Sequence, residues 1–173
     1  MSIKKILCVL LAVLLLAALF AGCKKTEEKK TTDPTEAEEE GVFVTVNGFN
    51  LKVGVPYADV KDKLGKETAP AETIDSCDPD SDWKQTMHFY DGVIVTEDKD
   101  GNIDGIQVQE GESALMGKIR IGATKEEVKA VLGEPDTDEE WGIYYESDPM
   151  INFYLDDETG LISGFAVMPG IGN

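Results

Sequence analysis

The chain has 173 residues, with 34 Asp and Glu against 16 Lys and Arg and a formal charge of −18. So acidic a surface repels phosphate polymers and anionic headgroups, which argues against nucleic acid as a partner and holds the folded part off a membrane surface. Of the three cysteines, Cys8 and Cys23 belong to the N-terminal segment and Cys77 alone remains for the folded part; one cysteine makes no internal disulfide, and the carboxylates around it disfavour a reactive thiolate.

The first 22 residues read as a secretion signal: a basic start at Lys4 and Lys5, an apolar run from Ile6 to Phe20, then small residues before Cys23. The run is short for a membrane span and ends without a stop-transfer pattern. Leu19-Phe20-Ala21-Gly22-Cys23 resembles the lipobox of bacterial lipoproteins, with Phe20 where Leu is usual. The resemblance implies cleavage before Cys23 and acylation of its sulfur, so the chain is expected to sit on the extracytoplasmic face of a bacterial membrane, held there only by its lipid. Losing the signal's two lysines takes the mature charge to −20. Residues 23–41 then form a lipidated cysteine and an acidic tether, whose run KKTEEKKTTDPTEAEEEG has almost nothing apolar to bury. As a flexible coil it reaches roughly 20–25 Å.

The rest suits one domain with one core, divided into a first repeat over 42–110 and a second over 111–173. Gly54, Val60, Lys61, Leu64 and Gly65 recur as Gly122, Val128, Lys129, Leu132 and Gly133 at a constant offset of 68. Further on, Asp98, Gly101, Ile103, Gly105 and Val108 recur as Asp157, Gly160, Ile162, Gly164 and Val167 at an offset of 59. The difference falls on an extra loop around Cys77 in the first repeat. VFVTVNGFNLKV predicts an Asn-Gly hairpin. In the first repeat a short helix starts near Pro56 and stops at Gly65. In the second, Thr124 and Glu127 predict a capping box, Val128, Val131 and Leu132 share a face, and Gly133 and Pro135 end the helix. TMHFYDGVIVTEDKDGNIDGIQV and GIYYESDPMINFYLDDETGLISGFAV each predict three antiparallel strands. Each unit is therefore expected to be a helix followed by a meander, an α+β arrangement.

The pattern of Gly122, Thr124, Glu127, Val128, Leu132, Gly133 and Pro135 resembles the signature of the SmpA/OmlA (BamE-type) envelope lipoproteins. Two such units in tandem resemble the β-lactamase inhibitory protein (BLIP-like) architecture. That resemblance implies a concave antiparallel sheet, covered on one side by short helices and gripping a partner protein with the other.

The sequence gives little sign of catalysis. His88 is the single histidine, and any pair among so many carboxylates is available by chance. A hydrolase working through paired acids is the weaker reading, and no enzyme activity and no cofactor are expected. The acidic stretches DKDGNID and DDETGLI lack the full ligand spacing of a calcium loop and read as turns, so no metal site is expected. With Phe89, Ile151, Phe153, Leu155, Phe165 and Val167 turned toward the helices, alternation sends His88, Tyr90, Trp141, Tyr145, Asn152 and Tyr154 to the open face. Aromatics on an uncovered sheet favour protein contacts, and the acidic surround favours a partner with a basic patch. The expectation is a cell-envelope lipoprotein that binds a protein partner through those six residues. An envelope assembly or chaperone role is the alternative implied by the BamE-type resemblance.

Overall fold

The computed structural model describes residues 41–75 and 82–170. The lipobox, the tether and Cys77 lie outside them. The described chain opens with the Asn-Gly hairpin: β1 (Val44–Val46) pairs with β2 (Phe49–Leu51), and Asn47 and Gly48 both take positive φ, 49° and 81°. Such a two-residue turn matches the right-handed twist of its strands. A 3-10 turn (Tyr57–Asp59) and one turn of helix, α1 (Lys61–Leu64), follow, ended by Gly65 at φ 96°. β3 (Glu72–Asp75), β4 (Lys84–Tyr90), β5 (Val93–Asp98) and β6 (Ile103–Val108) run antiparallel in turn. After β7 (Ala114–Leu115) comes α2 (Lys125–Leu132), with both halves of its Thr124/Glu127 capping box formed and Gly133 at φ 85°. β8 (Thr137–Asp138), β9 (Gly142–Tyr145), β10 (Met150–Leu155) and β11 (Ile162–Met168) complete the chain.

The strands make two sheets, one of eight in the order β3-β4-β5-β6-β11-β10-β9-β8 and one of three in the order β2-β1-β7. Strands hold 43% and helices 12% of the described residues, which makes the fold mostly β. This overturns the expected α+β class and its sheet covered by short helices. The physical reason is reach. Eight helical residues extend about 12 Å, whereas eight strands span about 34 Å. The three-stranded sheet therefore shares the covering: Val44, Val46, Leu51 and Leu115 join one core with Val93, Val95, Ile106, Val108, Phe153 and Phe165, to which the helices contribute Leu64 and Val128. The first helix of the sequence reading is split into the 3-10 turn behind Pro56 and the single turn α1, and β7 gave no pattern of its own.

Both halves are nevertheless fastened alike. Gly54 donates its N–H to the Ile103 carbonyl and Gly122 to that of Ile162, each at 2.7 Å, while Ile103 and Ile162 return bonds to Val55 and Ala123, each at 2.8 Å.

Candidate functional site: the two faces of the large sheet

Cross-strand partners share a face, so the register sorts the side chains. On the packed face, Tyr90 lies opposite Val93 and His88 opposite Val95, while Tyr145 lies opposite Ile151 and Phe153 opposite Phe165. On the open face, Met87 meets Thr96 and Glu72, Phe89 meets Ile94, Met150 meets Met168, and Asn152 meets Tyr144 and Ala166. Ile151, Phe153, Leu155, Phe165 and Val167 are buried as the alternation requires, and Asn152 and Tyr154 are half-buried on the open face. Trp141, just before β9, is 57% exposed and meets Tyr144 edge-on at 5.4 Å between ring centroids.

Three of the six expected contact residues are misplaced by the sequence reading. His88, Tyr90 and Tyr145 are 7–8% exposed and face the core, and Phe89, expected inward, stands on the open face with Ile94. The cause in β4 is a network of partners that satisfies its polar groups inside. His88 Nδ1 lies 2.9 Å from Glu67 Oε1, and Nε2 lies 3.0 Å from Glu97 Oε2. The imidazole stacks on Tyr57 at 3.9 Å, and the Tyr57 hydroxyl reaches both Tyr90 (2.5 Å) and Glu67 (3.3 Å). Burial raises both tyrosine hydroxyls above the ordinary phenol value, far above it at Tyr57, where the Tyr90 bond adds to the effect. Tyr145 is held inside because its hydroxyl donates to the Gly133 carbonyl at 2.9 Å, at the end of α2.

What the sequence reading missed is the apolar row of the open face: Met87, Phe89, Ile94, Met150 and Met168, all half-buried. The signal that finds it is the two-residue turn at Asp91-Gly92, which sets Tyr90 against Val93 and so assigns every residue of β4 and β5 to a face. Tyr144 belongs to the same face. Its ring lies over Gly142, where a Cβ would stand 2.7 Å from the hydroxyl. That hydroxyl is shut off from solvent with no hydrogen-bond partner among the described residues, and burial raises its pKa.

The acidic stretches are turns. Asp98 Oδ1 accepts from the N–H groups of Asp100 and Asn102, and Asp156 Oδ1 accepts from those of Glu158 and Thr159. Among the described residues no helix is long and apolar enough to cross a membrane.

No family model, no curated protein and no solved structure matches this chain. The resemblance to BamE-type lipoproteins and to the BLIP-like architecture therefore rests on its sequence motif alone.

Proposed function

We propose that this protein is a non-enzymatic binding protein of the bacterial cell envelope, tethered through an acylated Cys23, and that the open face of its large sheet docks a partner protein. The observation that carries the reading is the row of Met87, Phe89, Ile94, Met150 and Met168, which stands apart from the hydrophobic core on a sheet face that no described element packs against. An apolar stretch of that extent on one side of a sheet is what a recognition surface requires. Trp141 and Ile74, 57% and 45% exposed, add large apolar side chains at its two margins. His88, the single histidine, has both ring nitrogens engaged on the opposite face, which suits a structural role better than acid-base chemistry.

The reading is tested by placing a photo-crosslinking residue at Ile94 and, as a control on the helix side, at Glu126, in the cell that makes the protein. Adducts of defined mass at Ile94 and none at Glu126 support docking at the open face. Equal labelling at both sites, or none at Ile94, overturns it.

A further inference from the structure

The charges of the large sheet are divided between its faces. Lys84 is the single Lys or Arg within any described strand, and its even spacing from His88 and Tyr90 along β4 puts it on the packed side, opposite Asp75. The helices hold further cations on that side: Lys125 and Lys129 of α2 both bond Asp138. Among the described strand residues, the charged groups of the open face are carboxylates. Glu72 pairs across from Met87, Asp98 from Gln85, and Asp104 takes the Gln85 amide. Its apolar part is equally biased, because three of the five methionines of the chain lie there, with Met150 directly opposite Met168. Methionine is unbranched and polarizable and adapts to different apolar shapes.

An apolar floor that repacks, rimmed by carboxylates and with Lys99 beside Asp98 already paired to Asp82, selects for the chemistry of its occupant. Resting on the docking reading above, we propose that the occupant is a cationic amphipathic segment of a partner protein, with its apolar side on the methionine row and Lys or Arg reaching Glu72, Asp98 and Asp104. A second copy of this chain would bring the same negative rim against itself, and a chain of charge −18 repels anionic lipid.

The probes are two synthetic helical peptides with the same leucine face, one with lysine and the other with glutamate on its polar face. The protein is the full-length chain in zwitterionic micelles, with its methionine methyl groups isotope-labelled for NMR. The lysine peptide should shift the Met87, Met150 and Met168 methyl signals and leave Met116, which packs against the core, unmoved. Its affinity should exceed that of the glutamate peptide by about tenfold or more and fall as salt rises. Reversing the rim with Glu72→Lys and Asp104→Lys should exchange the two preferences, which separates recognition by the face from partition into micelles. The milder pair Glu72→Gln and Asp104→Asn should narrow them with no new charge in the fold. Equal shifts with both peptides would overturn the cationic class while leaving docking intact. Shifts with neither would also overturn it, and the Ile94 crosslink then decides whether the face docks anything. Loss of the Met150 and Met168 signals through self-association, seen as a doubled mass, would assign the face to a second copy instead.

Discussion

The hydroxyl oxygens of Tyr57 and Tyr90 stand 2.5 Å apart on the packed side of the sheet, joining the 3-10 turn to β4. Burial is the leading cause that raises both groups; the charge of Glu67 adds at each, while at Tyr90 the bond from Tyr57 partly opposes it. A group whose folded pKa lies above its unfolded value contributes its stability in full below the unfolded value, about 10 for tyrosine, and loses it as pH rises through the folded value. The unfolding temperature of the protein should therefore fall as pH climbs beyond about 10. The double replacement Tyr57→Phe with Tyr90→Phe should flatten part of that fall. Thermal melts followed by circular dichroism across that range check it, and parallel slopes for the two proteins would remove the pair from the account.

His88→Ala should destabilise the domain by about 1–3 kcal/mol, since it leaves Glu67 and Glu97 without the donor between them and opens space beside Tyr57. The partial exposure of both glutamates, 39% and 26%, keeps the effect toward the lower end. His88→Gln, which retains a donor, should lie between. Urea unfolding measures all three proteins, and an alanine variant as stable as the parent would mean that the cluster is ornamental.

At the other end of the sheet, Asp138 joins β8 to α2 through Lys125 and Lys129, and these hydrogen bonds hold its carboxyl below the ordinary range. A depressed folded pKa contributes stability above the unfolded value, and that stability is lost as pH falls through the folded one. Asp138→Asn should therefore lower the melting temperature at neutral pH, and the gap to the parent should close in acid. A gap that persists unchanged at low pH would place the effect elsewhere than in ionisation.

Gly142→Ala tests the packing of the open face. Its Cβ would stand 2.7 Å from both the Phe153 carbonyl oxygen and the Tyr144 hydroxyl, so β9 must shift or Tyr144 must swing away. The expected loss is about 1–3 kcal/mol, read from thermal unfolding. Trp141→Ala, beside it and mostly exposed, should change folding stability by less than about 0.5 kcal/mol.

Much of the strand plan was legible before the structure. Asn47-Gly48, the three strands on either side of Asp91-Gly92 and Gly101, and the capping box at Thr124 each have a short-range signal in residues a few positions apart. What was not legible depends on residues far apart. Nothing near Met87 or Phe89 says that they face outward. That follows from the burial of Val93 and Val95 opposite Tyr90 and His88, together with two glutamates, Glu67 and Glu97, that satisfy the histidine from different elements. Ala114-Leu115 shows its role only when Val44 is brought beside Leu115. The mostly-β class was missed for the same reason, because a helix signal is local and the layer that shares its covering task is not.

The large sheet is continuous through one seam, where β6 and β11 are matched at Val108 with Phe165, Gln107 with Ala166 and Ile106 with Val167. Each set of four strands on either side is built from near neighbours and can zip up by short hairpin steps, whereas the seam must bring together positions that the whole of α2 and the second meander separate. The expected order of assembly is therefore two hairpin sets first and the seam last, since closing so long a loop is repaid only when its contacts form. Gln107 and Ala166 of the open face sit on that seam. If the open face docks a partner as proposed, its β4–β5 part and its β10–β11 part become one continuous surface only after that joint has closed.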